Sequence, residues 1–327
     1  MSENILVTGA AGFIGSHLTE LMVEQGYKVI AYDRYNSNNH WGWLENSKYK
    51  NDIQVILGDI RDFDSISKAM SNCRAVFHLA ALIGIPYSYV SPLAYLRTNI
   101  EGTYNVLEAA KNLHLEQVLI TSTSETYGTA QYVPIDEKHP SVGQSPYSAT
   151  KIAADQLAIS YHRSFELPVK IVRPFNTYGP RQSARAIIPT IIAQILSGKR
   201  EIELGNLSPT RDLTFVLDTS QGFIDIYKSN TLFGEQTNIG MNQEISMGDL
   251  VNLIVDLIGE DVKIVSNQSR IRPAKSEVDR LWCSNTKLMG NTSWAPKYSL
   301  KEGLSAVITW MKNPENIASY KAGQYNV

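Results

Sequence analysis

Cysteine is almost missing from this chain: Cys73 and Cys283 are the only two in 327 residues. Neither belongs to a CxxC pair or a Cys/His cluster, which excludes a disulfide framework and a zinc site, so no metal is expected. Such scarcity agrees with a reducing compartment, and a cytoplasmic location is expected. An excess of charge of either sign is also missing. The formal net charge of -2 gives no reason to expect nucleic acid or an anionic membrane as partner. No uninterrupted apolar run approaches the roughly 18 residues that a bilayer span requires. Glu3, just ahead of the first apolar run, argues against an ordinary signal peptide. Internal repeats and low-complexity tracts are absent as well. What is present is a chain 43% hydrophobic, able to bury a sizeable core in two domains or in one large domain with a lobe.

The N-terminus reads as strand, glycine turn and helix. Asn4 to Val7 is a short apolar run, and Phe13, Ile14, Leu18, Leu21 and Met22 have helical spacing over Phe13–Gln25. Gly9, Gly12 and Gly15 lie between them. That order suits a pyrophosphate, which needs a tight turn, close backbone approach and a helix N-terminus facing the anion. The spacing is G-x-x-G-x-x-G, not the commoner G-x-G-x-x-G. Asp33 closes the next strand, where a carboxylate accepts the ribose hydroxyls of NAD and repels the extra phosphate of NADP. Arg34 beside it works the other way, and NAD is the expected cofactor. Strands ending in Gly58-Asp59-Ile60 and in Leu79-Ala80-Ala81 come next; Asp59 is expected near the adenine, and the alanines let the cofactor lie against backbone. His78 reads as packed rather than catalytic.

Tyr147 and Lys151 stand four apart in S-P-Y-S-A-T-K. With Pro146 opening a helix, i and i+4 share one face, so phenol and ammonium point into one pocket. A nearby ammonium stabilises phenolate, turning a phenol with a free pKa of about 10 into a usable base. Strands alternate with helices from Ile5 to about Arg173, the pattern of an α/β, Rossmann-type doubly wound parallel sheet. Helices are expected at Asp62–Ser71, Pro92–Leu113 and Tyr147–Phe165, and strands at Gln117–Thr121 and Val169–Arg173. The aromatic segment from Arg34 to Asp52 reads as a loop over the cofactor or at an interface. Beyond residue 181 a smaller mixed α/β lobe is expected from helices Ile187–Leu196, Met247–Ile258 and Leu300–Met311 and strand Ile202–Leu204. Segments Leu213–Val216 and Thr237–Ile239 are expected to return to the main sheet. The expected division is a cofactor domain of 1–177 with a returning segment at about 212–240, and a lobe of 178–211 and 241–327. The last dozen residues read as loose.

These motifs, with G-D-I-R-D, H-L-A-A, T-S-T-S-E-T-Y-G, R-P-F-N-T-Y-G-P-R and R-I-R-P-A-K-S-E-V, resemble the extended short-chain dehydrogenase/reductases. Within them the chain resembles the nucleotide-sugar epimerases and dehydratases over nearly its whole length. A-L-I-G-I-P-Y-S-Y, T-A-Q-Y-V-P-I-D-E and N-T-Y-G-P-R-Q-S-A-R-A-I-I-P-T look like UDP-N-acetylglucosamine 4,6-dehydratases of bacterial surface-sugar pathways, including the legionaminic-acid branch. The resemblance implies a lyase with Tyr147 as base, Lys151 on the cofactor ribose and Thr123 on the sugar O4. It implies cofactor contacts from Gly9, Gly12, Phe13, Ile14, Gly15, Asp33, Asp59, Ile60, Leu79, Ala80, Ala81 and Asn99, besides Tyr147 and Lys151. Asn176 would orient the UDP-sugar, and Arg185, Arg211 and Arg272 would grip its diphosphate, where planar forks suit phosphate oxygens. A homodimer through the Pro92–Leu113 and Tyr147–Phe165 helices is the family habit.

Glu125 separates the reactions. Once C4 is oxidised the C5 hydrogen is acidic, and a carboxylate two residues beyond Thr123 can remove it, so that water leaves from C6. Ser124 stands where many sugar dehydratases carry aspartate as general acid, so Glu125 carrying the proton itself, with Ser124 positioning the hydroxyl, is one resolution. The same T-S-E triplet occurs in UDP-glucuronate decarboxylases, while plain epimerases have small residues at the Glu125 position. Decarboxylase, epimerase and a non-catalytic NAD-binding protein therefore stand as alternatives to the dehydratase.

Overall fold

Runs such as Ile5-Leu6-Val7, with side chains alternately up and down and all buried, require cover on both faces of a sheet. The computed structural model, which describes residues 3–267 and 277–321, supplies that cover. Seven parallel strands are β1 (Asn4–Thr8), β2 (Lys28–Arg34), β3 (Ile53–Gly58), β4 (Cys73–His78), β5 (Gln117–Thr121), β6 (Val169–Pro174) and β7 (Gln236–Ile239). They lie in the order β7-β6-β5-β4-β1-β2-β3. Ile5, Val7, Ala31, Phe77, Leu119 and Val172 face one helical layer, including Leu18, Met22 and Phe223. Leu6, Ile30, Val76, Val118, Ile120 and Ile171 face the other, including Val106, Ala110 and Ala158. The strand order reverses between β1 and β4, which pair Val7 to Phe77, and a crevice opens at their C-terminal ends. That crevice holds the site.

Most expected elements are present within a residue or two at each end. The long helix expected over Pro92–Leu113 is instead three segments, with Leu96–Glu101 wound as π-helix between Pro92–Tyr95 and Gly102–Asn112. Asn99 lies in this wider turn and bonds both backbone groups of Leu82, tying the helix to the loop after β4. The strand Leu213–Phe215 does not rejoin the main sheet. It pairs with Asn176–Tyr178, which has already left the sheet behind β6. Thr237 does return, opposite Val172. The helix Val216–Lys228, unanticipated from the sequence, packs across the Phe13–Glu24 helix.

A smaller cluster is built from Ile188, Ile191, Ile192, Ile202, Leu250, Ile254, Leu304 and Ile308. It joins the helices Ile187–Leu196, Met247–Ile258 and Leu300–Met311 to the paired strands Glu201–Leu204 and Lys263–Ser266. Within the aromatic segment after β2, Gly42–Leu44 forms a short 3-10 turn, and Trp43 donates its backbone N–H to Ala11 O at 3.1 Å. The Trp43 ring meets Trp310 edge-on at 5.6 Å, so this segment braces the glycine turn against the smaller cluster. The tail is not wholly loose either: Tyr320 is buried and donates to Gln182 O at 2.7 Å.

Gly9 has φ +70, and a Cβ there would stand 2.8 Å from the Ala80 N atom. Gly9→Ala therefore combines left-handed strain with a backbone clash. It should cost at least about 1 kcal/mol in a urea melt and should also lower cofactor affinity.

Candidate active site

Gly12 begins the Phe13–Glu24 helix, and no side chain caps it. The first helical N–H groups have no partners within the helix and face the crevice. A Cβ at Gly15 would lie 2.0 Å from Gly9 O, so only glycine lets the turn close under that helix end. Asp33 Oδ2 accepts the Ala11 N–H at 2.7 Å and Oδ1 accepts that of Arg34, which fixes the carboxylate at the rim. Asp59 is ion-paired with Arg61, its carboxyl held below the usual range mainly by that hydrogen bond. Asn36, Asn38 and His40 close this end of the cleft. The result is a groove of dinucleotide length and polarity, and the chain's own residues fit NAD.

The cleft has a volume of about 1300 Å³ and passes from Gly9 and Asp33 to Leu204 and Arg211. At its centre β5 ends, and Thr123 caps the 3-10 turn Ser124–Thr126 by accepting the Glu125 N–H at 3.3 Å. Ser145 caps the Pro146–Phe165 helix in a capping box with Ser148, so Tyr147 falls in its first turn. Ser122, Thr123, Glu125 and Tyr147 line the cleft together. Burial pushes the Tyr147 phenol well up; hydrogen bonding with Thr123 opposes this, while the charge of Glu125 adds to it.

At Tyr147 burial raises the phenol more than the Thr123 hydrogen bond lowers it. The Lys151 ammonium is bound to Thr121 O at 2.6 Å and is itself pulled down by burial. Ser124 is buried and is not among the residues lining the cleft, since the 3-10 turn directs Thr123 and Glu125 there instead. Asn99 is likewise buried, spent on Leu82 and Thr150. His78 is packed as expected, between the hydroxyls of Thr8 and Thr103, and burial takes it down to about 3.

At the far end Asn176 Oδ1 is buried without a hydrogen-bond partner. Gln182 Oε1 has the same status, and the residue also lines the cleft; sequence reasoning missed it, although it directly follows the G-P-R motif. Both oxygens are shut off from solvent, so it is other atoms of Asn176 and Gln182 that line the cleft. Arg185 bends over Gly84, where a Cβ would stand 2.4 Å from its Nη1. Arg211 also lines the cleft, but its guanidinium is ion-paired with Glu277, 3.3 Å away. Arg272 lies outside the described residues.

The family model for GDP-mannose 4,6 dehydratase matches residues 6–307. The chain belongs to this family. A dTDP-glucose 4,6-dehydratase of Streptomyces antibioticus is 31% identical over 95% of this chain and 92% of its own length. A UDP-glucuronate 4-epimerase of Thermodesulfobacterium geofontis is 31% identical over 97% and 98%. Among solved structures, the dTDP-glucose 4,6-dehydratase DesIV of Streptomyces venezuelae, with NAD bound, superimposes with a TM-score of 0.88. It shares 27% identity and covers 98% of this chain and 100% of its own. Dehydratases and epimerases of nucleotide sugars are thus both relatives of this chain.

Asp33 is the group in this cleft suited to a cofactor ribose, and it also holds the glycine turn through Ala11. Asp33→Ala should weaken NAD binding at least tenfold, about 1.4 kcal/mol, by calorimetry on stripped protein. The same change should narrow the preference over NADP.

Proposed function

We propose that this chain is an NAD-dependent nucleotide-sugar 4,6-dehydratase that acts on UDP-N-acetylglucosamine. The observation that carries dehydration is the placement of Glu125 on the cleft wall beside Thr123, its charge felt at the Tyr147 phenol. The family match and the dTDP-glucose dehydratase relatives support the same reaction class. The choice of UDP-N-acetylglucosamine rests on the resemblance of the T-A-Q-Y-V-P-I-D-E and N-T-Y-G-P-R-Q-S-A-R segments.

Bound NAD supplies a cationic ring beside the phenol, a hydride acceptor at C4 and a hydride donor at C6. Tyr147 takes the O4 proton, with Thr123 hydrogen-bonded to the same oxygen. Lys151, anchored on Thr121 O, holds the cofactor ribose. Glu125 removes the C5 proton, which the 4-ketone has made acidic, and delivers it to the departing C6 hydroxyl. As hydride returns to C6, C5 is reprotonated by one equivalent that replaces the lost one, balanced by release of the O4 proton from Tyr147, so both groups are reset. In this reading Glu125 serves both transfers and Ser124, buried in the same 3-10 turn, helps position the hydroxyl. Asn176 and Gln182 line the sugar end of the cleft, where Asn176 would orient the sugar, and Arg185 and Arg211 line it where they would meet the diphosphate. Arg272 completes that set in the sequence pattern.

The second reading is UDP-sugar 4-epimerase, favoured by relatives with that activity. UDP-glucuronate decarboxylase, which the sequence motifs alone place ahead of the epimerase, shares the 4-keto stage and moves to third. Purified protein should release water from UDP-N-acetylglucosamine, read by product mass. Equal-mass conversion would favour the epimerase, and carbon dioxide from UDP-glucuronate the decarboxylase. Glu125→Gln should reduce dehydration by about 10²- to 10⁴-fold while substrate still converts bound NAD to its reduced form. Normal dehydration by that variant would remove Glu125 from the mechanism.

A two-fold dimer is part of the proposal. Val90, Leu93, Leu96, Tyr104 and Phe165 are exposed on the Ile85–Asn112 stretch and on the neighbouring Pro146–Phe165 helix. An apolar face of this kind suits a second copy of the same helices. Light scattering should give a dimer mass, and Leu93→Asp with Tyr104→Asp should give a monomer. A monomeric parent protein would refute the arrangement.

A further inference from the structure

We propose that Tyr95 is a positioning residue for the oxidation step: its ring sets the Tyr147 ring, and its hydroxyl sets the Leu82–Tyr87 wall of the cleft. This rests on Tyr147 acting as the proposed base. Tyr95 closes the Pro92–Tyr95 turn just before the π-helical stretch Leu96–Glu101, and it is fully buried. It is not among the residues lining the cleft, whereas Tyr87 and Tyr147 both are. Its ring meets both of theirs, Tyr87 at 6.1 Å and 51°, Tyr147 edge-on at 6.2 Å and 78°. Tyr95, Tyr147 and Ile85, with Leu82 packed against them, form a small apolar cluster apart from the main cores.

Apolar packing alone has no use for a hydroxyl here, since phenylalanine fills the same space with no polar group to satisfy. The Tyr95 hydroxyl donates to Gly84 O in the loop after β4. Gly84 O also accepts the Ser88 N–H at 3.1 Å, and Gly84 begins the short helix Ile85–Val90 with no side-chain cap. Four residues beyond Tyr95, Asn99 holds both backbone groups of Leu82 and donates to Thr150 Oγ1. The Thr150 hydroxyl in turn donates to Tyr147 O at 2.7 Å. One stretch of chain therefore fastens Leu82 and Gly84, and both of its anchoring side chains also touch the start of the Tyr147 helix. Gly84 has little room to shift: an added Cβ would stand 2.4 Å from Arg185 Nη1 and 3.5 Å from the Tyr95 hydroxyl. A phenol that takes the O4 proton must hold its oxygen to the sugar, and a misplacement of about 1 Å costs about 10²-fold. An edge-on ring contact fixes the tilt of Tyr147 without a charge or hydrogen bond that the reaction would disturb.

Tyr95→Phe keeps the ring and removes the bond to Gly84; Tyr95→Leu removes both. Each is compared with the parent protein, NAD-bound, by stopped-flow absorbance of NAD reduction on mixing with UDP-N-acetylglucosamine and by steady-state kcat and KM. Tyr95→Leu should slow NAD reduction at saturating substrate by about 10- to 100-fold. Tyr95→Phe should restore that rate to within about twofold of the parent while raising KM at least about threefold, the mark of a loosened wall with the base in place. A packing role alone predicts lower melting temperatures in both variants, with rate and KM per NAD-loaded protomer unchanged; that result overturns the proposal. Equal slowing in the two variants also overturns it. Where Tyr95→Leu does not fold, Tyr95→Phe decides, and an unchanged KM overturns the proposal. NAD reduction that survives Tyr147→Phe would instead refute the underlying reading of Tyr147 as base.

Discussion

Desolvation of a phenol and an ammonium within one helical turn of each other is the condition on which this site depends. Burial alone raises the phenol and lowers the ammonium, so each is driven toward neutrality. A base near neutral pH then requires charges placed deliberately around the pair. The protein offers Thr123 to the phenol and the Thr121 carbonyl to the ammonium. These partners and the pair come from different elements: β5 and the turn after it supply Thr121 and Thr123, and the long helix supplies Tyr147 and Lys151.

The same dryness explains the economy of the cofactor end. Gly9 and Gly15 exist because backbone meets backbone there, at Ala80 and within the turn itself. Asp33 ties the turn to β2, while Trp43 and Trp310 tie it to the smaller cluster. The cofactor groove and the sugar groove are one continuous cleft, so a sugar carbon and a nicotinamide can meet at Tyr147. Dehydratases and epimerases are both relatives of this chain, and Glu125, beside Thr123 on the 3-10 turn, is the carboxylate that this turn places on the cleft wall.

Much of this architecture was legible in the chain before it folded. Helical spacing and Pro146 as a helix start located Tyr147 and Lys151 in one helix, and apolar runs located the strands, because burial on both faces leaves little freedom in composition. Other features had no local signal. Asn99 reads as a helix residue, yet it clamps Leu82 through a π-turn. Leu213–Phe215 has the composition of a main-sheet strand, yet Asn176–Tyr178 captures it first. Gln182 reaches the cleft wall and Asp155 pairs with Arg173 only through the packed fold, which spacing cannot reveal.

The amino-acid order by itself determined the alternation of strand and helix, the glycine turn and the placing of Tyr147 and Lys151 one turn apart on a helix, because these arise from periodicity, chirality and side-chain chemistry over a few residues. Tertiary structure alone decided which groups are dry, which charges face them and which side chains line the cleft. Those properties depend on solvent exclusion and on distances between segments more than a hundred residues apart, such as Tyr127 and Asn238.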